Sequence, residues 1–363
     1  MNDTTIQNVF IPGIRDRLFS ITVRDGYFSS IAASACSAEP YRKQWISPAF
    51  TDLHVHLGWT DFDMADQLKR SSEEIEKMQA AAFKATYAAG FHTVRDAGGM
   101  LPAQAHFLDE RYGCKLSVFA CGDMLGKQDA QGSAFIAEKV HATQKTGAPW
   151  LKVFATGGLG SAPEEVLQPL FSKEEFFAAV QNAHSCGIKV MVHTWGGVSL
   201  DWAIEAKADS VEHGVYMTED QAYKLAAAGI PYIPTTVIYR IAARKDGPLA
   251  LPDFLRERAE RAAVAHPAAV QHALHAGVLI GFGTDFATPM LHGHNLEELD
   301  SLCDCGLPFA VCWKAATEVS ACILGRKSDS GCIREGFIAD YNLFSKDPST
   351  FRSVSDVQSC IIS

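Results

Sequence analysis

Phe50-Thr51-Asp52-Leu53-His54-Val55-His56 is a short apolar run that closes on two imidazoles. Successive side chains of a strand face opposite ways, so His54 and His56 fall on one side of it. Such a pair is either half of a metal site or two polar residues at a strand end, and the run alone does not choose. The downstream sequence does: Lys152, His193, His213 and Asp285 each end, or nearly end, another apolar run that reads as a strand.

One pattern recurs from about residue 49 to residue 325. A short run rich in Val, Ile, Phe or Thr is followed by a longer amphipathic run that stops at glycine. The stops are Ala89-Gly90, Thr146-Gly147, Cys186-Gly187, Ala228-Gly229 and Ala276-Gly277. Glycine just past a helix accepts the left-handed conformation that closes it. Strands are expected at 50–56, 91–96, 116–121, 150–155, 188–193, 209–213, 231–236 and 278–284, with helical runs such as 71–89, 172–186, 218–228 and 254–276 between them. Strand–helix repetition implies parallel strands joined by right-handed crossovers. The expected fold is therefore α/β, a (β/α)₈ TIM-like barrel over residues 49–325, with its site where the strands' C-terminal ends converge.

The flanks read differently. Asn8 to Ile11, Leu18 to Val23 and Tyr27 to Ala32 are β-like, with a turn signal at Asp25-Gly26, and residues 332–344 are again strand-like. Neither flank can bury a core alone, so residues 1–48 and 326–363 are expected to share one small β-sheet domain.

Composition narrows the function classes. With 363 residues, 47% hydrophobic and 20% charged, the chain is that of a well-buried globular protein. A net charge of −10 argues against nucleic acid as a partner. No apolar stretch approaches membrane-spanning length, and the first residues lack the pattern of a signal peptide. Ten scattered cysteines read as reduced thiols in a cytoplasmic protein. Cys303, Cys305 and Cys312 are expected to pack helices, since their spacing is not that of a zinc knuckle. A small molecule is the expected partner, and a homo-oligomer is left open.

Lys152 stands out among the strand-end residues. Trp150, Leu151, Val153 and Phe154 surround it, and desolvation there favours the neutral amine. A neutral amine can take up carbon dioxide as a carbamate, an anion able to bridge two metal ions. Arg95 and Asp96, ending the second strand, are expected to pair with each other and order the mouth. His272 and His275 are expected at the surface, far from it.

The segments PAFTDLHVHLG, LKVFATGG, VMVHTWG, SVEHG, GTDFATP and GCIREGFIADYNLF carry a resemblance over nearly the whole chain. It resembles the amidohydrolase superfamily, and within it the branch of Xaa-Pro dipeptidases and arginine or lysine carboxypeptidases, which shares TVRDAGG, KVFATGG, DSVEHGVYMTED and HGHNLEEL. The resemblance implies two divalent metal ions, with zinc the first choice. His54 and His56 would hold one with Asp285, His193 and His213 the other, and carboxylated Lys152 would bridge them. A bridging hydroxide would attack, and Asp285 would take its proton and pass it to the leaving amine. Tyr239 matches a tyrosine of the relatives and, with His292, is expected to touch substrate.

Deaminases of the superfamily use one metal and carry a glutamate soon after the fifth-strand histidine. Here Thr194-Trp195-Gly196-Gly197 follows His193. Hydrolysis of an amide in a small molecule, a dipeptide or an N-acyl amino acid, is the expected reaction. Lactone or phosphotriester hydrolysis on the same centre, or a non-catalytic barrel scaffold, are the alternatives. One departure bears on substrate: peptidase relatives commonly carry Thr-Gly-Gly-His after the third strand, where this chain has Ala120-Cys121-Gly122-Asp123-Met124.

Overall fold

The computed structural model describes residues 4–14, 17–34, 43–162, 165–249 and 251–362. Four strands come first: β1 (Thr4–Phe10), β2 (Phe19–Arg24), β3 (Tyr27–Ala33) and β4 (Gln44–Pro48). Eight follow: β5 (Phe50–Val55), β6 (Phe91–Asp96), β7 (Ser117–Ala120), β8 (Met124–Leu125), β9 (Trp150–Phe154), β10 (Lys189–Thr194), β11 (Ser210–His213) and β12 (Tyr232–Ile233). The chain ends with β13 (Tyr341–Phe344) and β14 (Ile361–Ile362).

The outer strands form one six-stranded sheet in the order β14-β13-β4-β1-β2-β3. Both chain ends thus contribute to one sheet, whose core is Val9, Phe19, Ile21, Phe28, Ile46 and Phe337. Ala49 alone separates β4 from β5, so this sheet is tied directly to the strand that carries His54 and His56.

The inner strands are parallel, in a three-stranded sheet β5-β6-β7 and a five-stranded sheet β12-β11-β10-β9-β8. Every residue of β5 and of β11 is buried, as expected of strands covered on both faces. Residues 117–125 serve both sheets. Ser117–Ala120 pairs with β6 and Met124–Leu125 with β9, and Gly122 turns the chain between them at φ +73°. On the other side, residues 279–286 run between β12 and β5. Tyr232 N donates to Leu279 O, Leu53 N to Phe282 O and Asp285 N to His54 O, at 2.7–3.0 Å.

The sequence-expected strand 278–284 is irregular, with isolated bridges at Ile280 and Phe286. The segment is tightly enclosed: a Cβ on Gly283 would lie 2.5 Å from Ile233 Cγ2 and 2.9 Å from His54 Cβ, so neighbouring side chains leave room there for glycine alone. The expected strand 231–236 is also cut to two residues, because Thr235 turns left-handed (φ +55°) and a helix begins at Thr236. The helices follow the reading closely: Ser72–Ala88, Lys173–Ser185, Glu219–Ala228 and Asp253–Ala276. The first three open with capping boxes, at Ser71/Glu74, Ser172/Glu175 and Thr218/Gln221. Among the described residues, no helix is long and apolar enough to cross a membrane.

Glu298 fixes the short helix Thr236–Ala242, which reaches the site. It is fully buried and accepts from the backbone N–H of Thr236 (2.9 Å) and Val237 (2.6 Å) and from the Thr236 hydroxyl (3.1 Å). Burial outweighs these donors and pushes its carboxyl up to about 8 from an ordinary 4.5. The folded state therefore holds a proton that the unfolded chain releases, and this contribution to stability is lost as pH rises toward the folded value. Glu298→Gln should flatten the fall in Tm between about pH 5 and about pH 8, read by circular dichroism melts; an identical pH slope in the variant would contradict a raised carboxyl.

Candidate metal centre

The strand ends bring the expected residues together on one side of the inner sheets. His54 Nε2 lies 3.0 Å from Lys152 Nζ and 3.5 Å from Asp285 Oδ1, and His56 Nε2 lies 3.2 Å from the same Asp285 oxygen. The His213 ring centroid is 4.8 Å from that of His54 and 4.4 Å from that of His193. Ligand-type atoms of His54, His213 and Asp285 all lie within 4.8 Å of one another, the only such group among the described residues. His193 joins it through ring contact with His213, while its own Nε2 is 3.2 Å from Gly157 O. Cys303 and Cys312 approach to 3.7 Å between sulfurs, within helix packing.

Two members reach the group through unusual backbone. His213 (φ +67°) and Asp285 (φ +59°) are left-handed, as is Thr235. Non-glycine residues rarely take that conformation, and where they do a functional site is a common reason. On β11 it matters directly. Alternation would send Glu212 and His213 to opposite faces, yet the turn at His213 lets both side chains approach His54.

Each ring is held from behind. Glu212 Oε2 is 2.6 Å from His54 Nδ1, Gly98 O is 3.0 Å from His56 Nδ1, and Thr235 Oγ1 is 2.8 Å from His213 Nδ1. For His54 and His56 the held nitrogen is Nδ1, leaving Nε2 to face Asp285.

Burial controls protonation. It lowers His54 and His213 well below the ordinary imidazole value and takes His193 to about 3, with nearby positive groups adding to the effect. The lone pairs are therefore free. Lys152 is fully buried, and desolvation lowers its pKa against the opposing pull of Glu212 and Asp285. Asp52 and Asp96 are both pushed up to about 6 by burial. Asp52 clamps β5 to the irregular segment by accepting from Thr284 N, Thr284 Oγ1 and Asn295 Nδ2.

Arg95 and Asp96 do not pair as expected. Neighbours on a strand face opposite ways, so Arg95 points among the inner strands while Asp96 accepts from the backbone of Leu57, Gly98 and Met100. Arg95 donates to Glu212 Oε1 (2.8 Å), Ser210 Oγ (2.9 Å) and Leu53 O (2.7 Å), and stacks 4.4 Å from the Trp150 ring. Glu212 was missed by the sequence reading. Its signal was a carboxylate inside an otherwise buried strand, which needs a partner.

A cavity of about 290 Å³ opens over the group. His56, Lys152, His193, His213, Asp285 and Tyr239 are among its walls. Tyr239 is buried, and burial followed by the nearby Asp285 charge raises its hydroxyl, keeping it a donor. His292 does not line the cavity. It is buried beside Phe286, with Nδ1 3.3 Å from Thr86 Oγ1. His275 is exposed, and His272 is half-buried against Met217 O. His266, unremarked in the sequence, is buried beneath the site and bonds His213 O (2.7 Å).

Removing one partner of a buried ion pair strands the other charge. Arg95→Met should cost about 3–5 kcal/mol in denaturant unfolding, and adding Glu212→Gln should recover part of it. An unchanged unfolding midpoint in the single variant would deny the pairing.

The geometry can be set beside known proteins. An uncharacterised protein of Mycobacterium tuberculosis is 25% identical over 295 residues, covering 75% of this chain and 73% of its own length. Ochratoxinase of Aspergillus niger is 29% identical over 222 residues, 60% of this chain and 45% of its own. The crystal structure of a Xaa-Pro dipeptidase with bound methionine superposes with a TM-score of 0.84 at 24% identity, covering 99% of this chain and 97% of that one; that likeness is one of fold. The amidohydrolase family matches residues 45–362. The chain belongs to the amidohydrolase family and is a hydrolase acting on C–N bonds.

Proposed function

We propose that the protein is a binuclear metal-dependent hydrolase that adds water across an amide bond of a small molecule, releasing an acid and an amine. The observation that carries this reading is Lys152. Its amine is fully buried, held toward the neutral form by desolvation, and 3.0 Å from His54 Nε2 among neutral imidazoles. A buried lysine with no carboxylate of the described residues within bonding distance is costly unless it is converted to something else, and a carbamate would supply the bridging anion.

The donor set fits divalent cations. Imidazoles and a carboxylate suit zinc, and the carboxylate behind His54 and the backbone carbonyl behind His56 are partners that metal-bound histidines commonly have. His54, His56 and Asp285 would hold one ion, His193 and His213 the other, with modified Lys152 shared. When bound, such ions acidify a water and polarise the scissile carbonyl. Asp285, 22% exposed at the cavity floor, would accept a proton from the attacking water and return it to the leaving nitrogen. The Tyr239 hydroxyl, in the cavity wall, would donate to the substrate, and Glu212 with Arg95 would keep His54 oriented.

The scaffold we infer is a closed (β/α)₈ barrel over about residues 49–325, with a small β domain from 1–48 and 326–363. The pairings through residues 117–125 and 279–286, which give the inner strands neighbours on both sides, support it. The nine described cysteines are all free thiols, consistent with a reducing, cytoplasmic setting.

Purified protein grown with zinc should carry about two metal equivalents per chain, lose activity to a chelator and regain it with zinc. Asp285→Asn should lower kcat by about 10²–10⁴ with the circular dichroism spectrum unchanged, and Lys152→Ala should lose metal and activity together. A metal-free protein with a fully active Lys152→Ala variant would overturn the reading, as would hydrolysis of lactones or phosphotriesters alone.

A further inference from the structure

Whatever flanks the scissile bond must lie against the cavity wall above Lys152 and Asp285, and that wall is apolar. Trp59, Phe62, Phe154, Leu159 and Ile238 form much of it. Trp59 stacks on His56, with centroids 4.2 Å apart and 15° between planes. The indole also packs on Gly99, where a Cβ would come within 2.6 Å of it. Phe154 lies 4.6 Å from the His193 ring. The aromatic surface therefore begins at the candidate ligands and continues outward. Trp59, Phe62, Phe154 and Leu159 are only partly buried, and apolar side chains left open around a concave mouth mark a surface that an apolar ligand covers.

Among the described residues, the same wall offers a substrate carboxylate no cationic side chain above the floor. Among the described lining residues, Lys152 is the only lysine or arginine, and it sits on the floor against His54. The cations beside the cavity are engaged elsewhere. Arg70 makes two 2.6 Å bonds to Asp61, Lys127 pairs with Glu165, and Arg258 donates to the carbonyls of Gly158, Leu159 and Ser161. Asp123, which stands where peptidase relatives commonly carry a histidine, is exposed and outside the cavity. A substrate carboxylate pointing away from the floor would thus be desolvated against aromatic rings with no side-chain counter-charge beside it, an expensive placement.

We propose that the substrate is an uncharged amide bearing an aromatic group beside the scissile bond and no free α-carboxylate: an N-aroyl amine rather than a dipeptide or N-acyl amino acid. The inference rests on the amide-hydrolase reading above and adds the character of the groups on either side of the bond.

N-benzoyl-phenethylamine and N-benzoylphenylalanine differ only by the α-carboxylate and separate the possibilities. With zinc-loaded enzyme, kcat/KM should favour the uncharged amide by about tenfold or more. Phe62→Ala should raise KM for it by more than it changes kcat. Phe62→Arg, which places a cation at the rim, should shift the ratio toward the acid. Equal rates, or a preference of the unmodified enzyme for the acid, would overturn the inference while leaving amide hydrolysis standing. Cleavage of lactones or phosphotriesters with no amide cleaved would overturn both.

Discussion

The site depends on the burial of ionisable groups that would rather be in water. Arg95, Glu212, His54 and Lys152 are all fully buried. Taking a carboxylate and a guanidinium out of water is unfavourable unless each finds a close, well-directed partner. Glu212 meets that condition twice, with Arg95 on one oxygen and His54 on the other. The network fixes the His54 ring while its desolvated surroundings keep the imidazole neutral. The same dry interior lowers Lys152. One constraint therefore produces both the basic ligands and the reactive amine.

Geometry at the strand ends completes the arrangement. A parallel strand delivers side chains in alternation, which cannot by itself put Glu212 and His213 around one histidine. The left-handed backbone at His213, Thr235 and Asp285 breaks that alternation at the rim. Such conformations cost of order 1–3 kcal/mol each and persist only where neighbours over-determine them. Here the neighbours can be named. Thr235 leads into a helix whose first amides are held by Glu298, and Asp285 N donates to His54 O. Glu298 thus acts at a distance from the chemistry, through the helix that carries Tyr239.

Much of this was legible in the sequence. The strand ending in His54 and His56 and the glycines closing the helices are local signals, and local chemistry decides them. The five expected helix stops, Gly90, Gly147, Gly187, Gly229 and Gly277, all have positive φ. The convergence of His54, His56, Lys152, His193, His213 and Asp285 was legible because strand ends of repeated β–helix units share one side. What failed to show was long-range. Arg95 was read with its sequence neighbour Asp96, whereas its partner Glu212 is 117 residues away. His292 was read as a mouth residue from its place after the last strand, but it turns behind that segment toward Thr86. No periodicity reports which of two faces a loop histidine chooses.

A common floor and an individual wall obey different constraints. The floor is fixed by ligand chemistry, since moving the His54 or His56 ring by an ångström would break its contact with Asp285 or Glu212. The wall has no such restriction, because side chains on loops such as Trp59 and Phe62 answer only to what they touch. That is why family membership speaks to the reaction and says little about what flanks the bond. Trp195 illustrates the difference. It follows His193 where deaminases place an acid, and its ring packs 5.4 Å from Tyr239 in an edge-to-face contact. An apolar ring there removes a proton carrier and adds hydrophobic wall in the same step. Chemistry that needs a second acid is disfavoured at this position, while a neutral, aromatic occupant gains a surface to lie against.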